Sequence, residues 1–313
     1  MMKKGLITVV ACVCSIILNA QQSVNYTQYM VNNFAFNPAV AGSKDCVNMR
    51  VGYRAQWTGF EGNPNTAFAT VHSGIAKRGV RKNENNHAIG LRLINDETGP
   101  TSRTSLNFAY AYHVKVSRDY VLSSGIYLGF MQYKLDGNEL LVEDFADEAI
   151  GPSQSVIVAP DLTLGLWLYS NRDYVGLSAG SLVESGIPDI GKSTNLTRFY
   201  TLTAGRKYGD EYGINFIPSF KMEYLPKTPL AIDASFVVDY AGRFGAGVNY
   251  RISEGVGFLA RATVFKYFTF GYSYEIINSK IRFGSMQTHE ILLGITACPK
   301  DGRARAIECP TYF

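Results

Sequence analysis

Side chains that commonly carry catalysis or bind metals are scarce and widely spaced in this chain. It has four histidines, His72, His87, His113 and His289, among 313 residues. No two have the spacing of a zinc site, and no cysteine pair of the zinc type accompanies them. A serine hydrolase would need a serine, a histidine and an acid or amide in one place. We therefore expect a protein that is not an enzyme and that uses no cofactor or metal.

Cysteine is the second residue type with possible chemistry. Cys12 and Cys14 lie in an apolar N-terminal run, and Cys46, Cys298 and Cys309 lie outside it. Proteins exported to an oxidising compartment often form disulfides, so one is expected among these three, with one cysteine left over. The role predicted for such a bond is a structural crosslink rather than redox catalysis.

The segments that carry the remaining charged residues show a period of two. In residues 47–57, apolar side chains at odd positions alternate with arginine, asparagine, glycine and glutamine at even positions. Successive side chains of a β-strand point to opposite faces, so each such segment has one apolar and one polar face. The pattern recurs in residues 105–116, 244–252, 256–264, 268–276 and 290–297.

Several ionisable side chains fall on the polar faces of these strands. They could line an open pore, or they could pair with one another across a filled lumen. Because an unpaired buried charge is costly, pairing is favoured. The residues are Arg50, Arg54, Arg251, Arg261, Glu275 and Glu290.

Alternating strands suit either a membrane barrel or a secreted β-sandwich such as a lectin-like domain. The polar faces mix charge with many glycines, which fits a crowded lumen. The apolar faces carry tyrosine and phenylalanine near strand ends, as in the aromatic girdles of outer-membrane barrels. We therefore predict an all-β protein, a transmembrane antiparallel β-barrel in the outer membrane of a Gram-negative bacterium.

The predicted topology has about fourteen strands, an even number that puts both termini in the periplasm. The long acidic connection, 136–155, is then extracellular and the basic turn, 77–86, periplasmic. His113 and His289 fall at opposite ends, and Cys298 can pair with either Cys46 or Cys309. Strands are expected to begin near residues 47, 65, 87, 103, 120, 157, 174, 197, 213, 230, 244, 256, 268 and 289.

The two ends of the chain differ from the strands. Residues 1–20 combine a basic start, an apolar run and a small residue before the cut, which predicts a signal peptide. Residues 21–46 are too polar for lipid and should lie in the periplasm or in the lumen. The barrel is expected over 47–298, and 299–313 form a periplasmic tail. The formal net charge of +4 is too small to indicate nucleic-acid binding.

Several short motifs occur in a fixed order after the predicted signal peptide. They include Gln-Tyr-Met at 28–30, Asn-Pro-Ala-Val-Ala-Gly-Ser at 37–43 and Tyr-Arg-Ala-Gln-Trp at 53–57. These motifs resemble those of the PorP/SprF family of type IX secretion outer-membrane proteins from Bacteroidetes. Later stretches, at 95–100, 109–113, 271–274 and 289–291, resemble the PorP branch. Each motif alone is loose, and their order and spacing together are specific.

The resemblance implies a part in protein export or surface attachment of proteins with type B C-terminal signal domains. It also implies coupling to the periplasmic ring and its peptidoglycan-binding lipoproteins, and in many members gliding motility. Outer-membrane lipid is the other expected partner. The candidate docking residues are Asn33, Asn37, Pro38 and Gly42, whose alternative role is to stabilise the barrel mouth. The alternative function is a channel or transporter for small solutes.

Overall fold

The computed structural model describes most of the chain beyond residue 24. The described residues are 25–44, 46–59, 61–75, 86–136, 154–183, 197–209, 213–226, 228–252, 254–265, 267–278 and 287–298. The predicted signal peptide, the predicted C-terminal tail, and nearly all of the basic turn and the acidic connection lie outside them. Within the described residues, no helix is long and apolar enough to cross a membrane.

The described residues form fifteen antiparallel strands. The consecutive strands β8 and β9 both pair with β10, so together they occupy one strand position in the wall. The strands are β1 (Val47–Ala55), β2 (Asn65–Gly74), β3 (Asn86–Thr98), β4 (Thr101–Lys115), β5 (Val121–Asp136), β6 (Gln154–Tyr169), β7 (Asp173–Gly180), β8 (Phe199–Arg206), β9 (Tyr208–Gly209), β10 (Ile214–Tyr224), β11 (Ala231–Tyr240), β12 (Phe244–Arg251), β13 (Gly255–Val264), β14 (Phe268–Ile277) and β15 (Gln287–Ala297).

The sheet closes on itself into a barrel. Consecutive strands pair with each other, and β1 also pairs with β15, with Val47 opposite Ala297 and Ala55 opposite His289. Counting β8 and β9 as one, the closed wall has fourteen strands, as predicted. The observed strand starts follow the predicted ones closely, and the largest difference is at β6, expected near residue 157 and observed at Gln154.

The outer face of the barrel is apolar, and the inner face is polar, as the alternation predicts. Along β1, Val51 and Tyr53 are 43% and 50% exposed, whereas Arg54 between strands β2 and β15 is fully buried. Outward aromatic side chains collect at both ends, where lipid headgroups meet the apolar band. Those near the Cys46 end include Tyr208, Tyr240, Phe244 and Phe268, and those near the other end include Tyr53, Tyr200, Tyr224 and Tyr250.

The two ends of the barrel differ in shape. The end that carries Cys46 and Cys298, here called the cysteine end, has short described turns such as 170–172 and 241–243. At the opposite end, here called the distal end, the wall is uneven. Strands β5 and β6 are each 16 residues long, whereas the neighbouring β7 has 8. The β5–β6 hairpin therefore extends past β7 at the distal end, while β4 reaches the same height, with Thr101 opposite Leu135.

Residues 25–44, here called the plug, occupy the lumen. They form three single-turn 3-10 helices, η1 (Tyr29–Val31), η2 (Asn33–Ala35) and η3 (Pro38–Val40). Asn37 precedes η3, and its side chain accepts a hydrogen bond from the Ala39 N–H, while proline occupies the first helical position. Asparagine followed by proline is a favoured helix start, because the side chain caps a free N–H and the ring presets φ.

Candidate functional site

The plug fills the lumen rather than covering its mouth. Nearly all of its residues are buried, and Tyr29, Ala39 and Ala41 are completely inaccessible to solvent. All six residues of η2 and η3 are buried. The aromatic rings of Tyr26 and Phe34 pack against wall residues Phe68 and Tyr127. The plug and the wall thus share one core, in which nine of the 23 buried apolar side chains belong to the plug and fourteen to the wall.

The first plug residues are held by a carboxylate of the wall. The backbone N–H groups of Thr27 and Gln28 donate to the two carboxylate oxygens of Glu290 on β15, at 2.7 Å and 3.1 Å. Arg54 on β1 donates to the Thr27 hydroxyl and lies 3.3 Å from Glu290. A carboxylate that accepts two backbone N–H groups and faces a guanidinium keeps its charge at low cost.

Charged side chains on five strands extend this contact into a continuous network. Arg54 is 2.5 Å from Glu275, which is 3.3 Å from Arg251. Arg251 is in turn 2.5 Å from Asp233, and Asp233 is 3.4 Å from Lys221. These side chains are almost wholly buried, so each charge depends on its neighbours for compensation. The network connects β1, β14, β12, β11 and β10 along one side of the lumen.

A second polar cluster holds the plug from the other side. Arg92 on β3 donates to the Ala35 carbonyl at 2.7 Å and lies 3.4 Å from Asp161 on β6. Asn107 on β4 bonds both, donating to Asp161 at 2.8 Å and accepting from Arg92 at 2.7 Å. Tyr127 on β5 donates to the carbonyl of Phe34. The plug is therefore hydrogen-bonded to opposite sides of the wall.

The Asn-Pro-Ala motif forms the third contact, nearer the cysteine end. The Asn37 amide donates to the carbonyls of Leu166 on β6 and Leu177 on β7, at 2.9 Å and 3.0 Å. Its carbonyl oxygen accepts from Ala39 at 2.9 Å, so Asn37 joins two wall strands to the start of η3. Asparagine fits this position because it supplies two donors and an acceptor from one short side chain.

Two wall histidines bind the end of the plug. His72 on β2 accepts the Gly42 N–H at 3.1 Å through Nδ1, and His113 on β4 donates through Nε2 to the Ala41 carbonyl at 2.7 Å. Both rings point into the lumen and are buried. His289, by contrast, lies on the outer face near the distal end, where its Nδ1 is 2.8 Å from the Tyr272 hydroxyl. His113 and His289 thus occupy opposite ends, as the topology predicts.

Inward glycines of the wall provide the space that the plug needs. A methyl group added at Gly165 on β6 would lie 2.0 Å from the Asn37 Oδ1 atom. One added at Gly125 on β5 would lie 2.4 Å from the Ala39 nitrogen, and one at Gly271 on β14 would lie 2.3 Å from Gln28 Oε1. These glycines are therefore explained by close approach of the plug to the wall.

The four candidate docking residues all belong to the plug, and the structure places them inside the lumen. Asn33 is 8% exposed and Asn37 3%, and Pro38 and Gly42 are also buried. Gly42 has a φ of +65°, and a methyl group there would approach Ala88 to 2.4 Å. Asn37, Pro38 and Gly42 contact the barrel wall, and the Asn33 amide donates to the Met30 carbonyl within the plug at 3.3 Å.

The disulfide joins Cys46 to Cys298. Cys46 ends the link between plug and β1, and Cys298 follows β15, so the bond ties the two edges of the barrel closure and the base of the plug. Cys309, the other pairing that the sequence leaves open, lies outside the described residues.

The six ionisable side chains that the sequence places on the polar strand faces all lie on the inner face of the wall. Several of the residues that pair with them were not predicted. Arg261 pairs with Asp239, and Arg50 donates to the Ile295 carbonyl at 3.2 Å and to the Thr296 hydroxyl at 3.1 Å. Asp233 and Asp239 were not singled out, although both sit at inward positions of the alternating segment β11. Arg92, Asp161 and Lys221 were also missed, and the same alternation places each of them inward.

Tyrosine side chains of the plug remain neutral in this environment. Burial raises the pKa of both the Tyr26 and the Tyr29 hydroxyl above the ordinary tyrosine range. The Tyr29 hydroxyl lies 3.1 Å from the Ser219 hydroxyl on β10, so it keeps a hydrogen-bond partner. Lys44 is the one ionised side chain in residues 25–44, so most of the charge in the described lumen is carried by the wall.

A comparison with models of known protein families matches residues 18–295 to the type IX secretion system membrane protein PorP/SprF family. The match covers most of the chain, including the plug and the strands from β1 to nearly the end of β15. The chain belongs to the PorP/SprF family. A comparison with curated proteins finds no match.

Solved structures similar to this PorP/SprF protein are outer-membrane barrels of low sequence identity. The toluene transporter TbuX of Ralstonia pickettii has a TM-score of 0.54 and 8% identity, with 87% of this chain and 94% of that chain covered. A FadL homologue of Pseudomonas aeruginosa has a TM-score of 0.49 and 11% identity, with 84% of this chain and 93% of that chain covered. At such identities the likeness to TbuX concerns the fold alone.

The family and the closed barrel together place this PorP/SprF protein in the outer membrane. The family consists of membrane components of a secretion system and is not an enzyme family. Its site is therefore best described as a lumen filled by the chain's own N-terminal segment.

Proposed function

We propose that this protein assists the type IX system in exporting proteins with type B C-terminal signal domains, or in attaching them to the cell surface. It does so by holding the exported domain or by coupling the machinery to the membrane through the periplasmic ring and its peptidoglycan-binding lipoproteins. In bacteria that glide, it supports gliding motility. No bond is made or broken by the chain, and no nucleic acid takes part.

The observation that carries this proposal is the family match over residues 18–295. The filled lumen supports a role in docking over the alternative of a small-solute channel. A channel needs a continuous aqueous path, and the described plug contacts opposite walls through Glu290, Arg92 and Asn37. Moving it would break buried charge-assisted hydrogen bonds, which are the strong ones.

The proposed orientation puts the cysteine end in the periplasm. Outer-membrane barrels have short periplasmic turns and longer extracellular loops. The cysteine end carries the tight turns 170–172 and 241–243, and the long connection 137–153 leaves the distal end. With this orientation, Cys46 and Cys298 enter and leave the barrel on the side from which an exported chain is inserted.

Deleting the gene and measuring the proteins of the medium and cell surface tests the proposed function. We expect proteins with type B signal domains to disappear from the surface or the medium, and a plasmid copy of the full chain to restore them. An unchanged set of exported proteins, together with altered uptake of small solutes, would contradict the proposal and favour the channel.

A further inference from the structure

The first four described residues of the plug, 25–28, here called the arm, lie on the distal side of the lumen. The N–H groups of Thr27 and Gln28 bond to Glu290, which is three residues inside the distal end of β15. Three residues correspond to roughly 10 Å of strand. The last plug residues, 41–44, lie toward the cysteine end, so the arm is the distal part of the described plug.

The arm is bound to the wall through neutral groups. Its residues are asparagine, tyrosine, threonine and glutamine, none of which is ionised. The wall cation beside it, Arg54, has two wall carboxylates as partners, Glu275 at 2.5 Å and Glu290 at 3.3 Å. Departure of the arm would therefore break hydrogen bonds but separate no ion pair.

Lys221 on β10 is a buried wall cation that is held largely by the plug. Its Nζ atom donates to the Asn25 Oδ1 atom at 2.6 Å and lies 4.6 Å from the centre of the Phe36 ring. Its nearest wall carboxylate, Asp233, is 3.4 Å away and also binds Arg251 at 2.5 Å. Without the arm, Lys221 would keep only a carboxylate that it shares with Arg251.

Glu223 is a carboxylate beside Lys221 that has no partner. The two residues are two apart on β10 and face the lumen together, because alternate residues of a strand share a face. Glu223 is 4% exposed, and within the described part of the chain it makes no hydrogen bond or ion pair. Its cross-strand neighbours, Thr201 and Ala231, are uncharged. A buried carboxylate in this state is costly, and pairing with Lys221 would remove the cost.

The seated arm leaves further polar atoms unpaired. The Tyr26 hydroxyl and the Gln28 Nε2 atom are buried without a hydrogen-bond partner, and water would satisfy both if the arm left the wall. Asn32 and Asn33 also keep one unpaired atom each, but their segment is tied to the wall where Arg92 donates to the next residues of the plug. Burial of the Tyr26 ring opposes release, so the seated arm is the major state.

We propose that residues 25–28 form a releasable arm, which leaves the wall while the rest of the plug stays, and that Lys221 then turns from Asn25 to Glu223. The seated and released states each give Lys221 a close partner, so the wall has two arrangements of similar cost. The lumen stays filled in both, because η3 remains tied to two wall strands through Asn37.

Amide hydrogen exchange on the full chain in lipid nanodiscs tests whether the arm opens by itself. The N–H groups of Thr27 and Gln28, bonded to Glu290, should exchange at least roughly tenfold faster than the Ala39 N–H, bonded to Asn37. All three residues are buried, so exposure in the seated state does not explain such a difference. Equal rates would show that the plug moves as one unit and would overturn the proposal.

Glu223→Gln tests the role of the unpaired carboxylate, because it removes the charge and keeps the shape. The released arm then no longer gives Lys221 a carboxylate of its own, so exchange of the two arm amides should slow roughly tenfold, with no change at Ala39. The matched control is Glu97→Gln, at an exposed distal carboxylate bonded to Asn95 at 2.8 Å, which should change exchange less than about twofold.

Two results of this comparison would contradict the proposal. Unchanged exchange of the arm amides in Glu223→Gln would show that the carboxylate plays no part in release. Equal slowing of the arm amides and of Ala39 would show a general gain in stability instead of a tighter arm. Heat-dependent gel mobility verifies that each variant forms a barrel.

Repeating the Glu223→Gln change in a Lys221→Met background tests whether the two residues act together. If Glu223 acts by receiving Lys221, the slowing of the arm amides should disappear in this background. Lys221→Gln takes the place of Lys221→Met if the latter does not form a barrel. Slowing that persists without the lysine would show that Glu223 acts through another group and would overturn the proposed exchange of partners.

Discussion

Arg54 is a fully buried cation that compensates two buried carboxylates of the lumen. It lies between Glu275 and Glu290 and donates to the plug at Thr27, with no exposed surface. Removing one member of a buried ion pair leaves the other uncompensated, which is much more costly than losing an exposed pair.

We predict that Arg54→Met lowers the free energy of unfolding by about 3 kcal/mol, because Glu290 then lacks its cation. The matched control is Arg206→Met, since Arg206 forms an exposed pair with Asp173 at 3.3 Å. That change should cost less than about 1 kcal/mol. Urea unfolding of the barrel in lipid vesicles measures both, and equal effects would show that the buried network adds little.

The contact between Asn37 and Gly165 allows a double-mutant test of plug position. Gly165→Ala alone should destabilise by about 1–3 kcal/mol, because the new methyl group overlaps the Asn37 side chain. Asn37→Ala alone should cost about 2 kcal/mol through its lost hydrogen bonds. The double variant should cost no more than Asn37→Ala alone. Simple additivity of the two costs would mean that the plug does not sit against Gly165.

At the scale of the strands, the disulfide closes the pair β1–β15. The two strands are also joined by a full ladder from Val47 to Ala55, so the barrel should stay closed when the bond is reduced. The crosslink joins residues 252 positions apart, and restricting so long a loop in the unfolded state stabilises the folded one.

We predict that reduction, or Cys46→Ser with Cys298→Ser, lowers the unfolding free energy by about 2–4 kcal/mol. The temperature at which the folded band disappears on semi-native gels reports the change. Cys309→Ser is the control and should leave the effect of the reductant intact. If Cys309→Ser abolished that effect, the bond would join Cys298 to Cys309 instead.

The strands could be predicted from the sequence because their signal is local. Alternation in segments such as β1 and β14 fixes which residues face lipid, and the turn residues between segments fix where each strand begins. The even strand count then followed. The predicted start of β6, near residue 157, is later than the observed start at Gln154. The distal end of β6 extends past its pairing with β7, and the length of such an extension is not encoded in the alternation of β6 itself.

The plug and its partners could be predicted only in part, because they depend on contacts across the barrel. The polar composition of the plug excluded lipid, but it did not distinguish the periplasm from the lumen. Asp233 links Arg251 to Lys221 only once the register of β10, β11 and β12 is known. For the same reason, the sequence left two partners open for Cys298.

At the scale of the whole molecule, the orientation of the barrel can be tested directly. An epitope inserted at Arg118, in the short turn 116–120 of the cysteine end, should bind antibody only after the outer membrane is permeabilised. The same epitope inserted within 137–153 should be detected on intact cells. The reverse result would place the cysteine end outside the cell and contradict the proposed orientation.

The central claim is that the protein is a closed barrel whose lumen is filled by its own N-terminal segment, and not a pore. Conductance of the full chain in planar lipid bilayers tests this most directly, with a variant that lacks residues 25–44 as the control. We predict no steady conductance from the full chain and clear openings from the variant. A steady conductance of porin size from the full chain would contradict the claim.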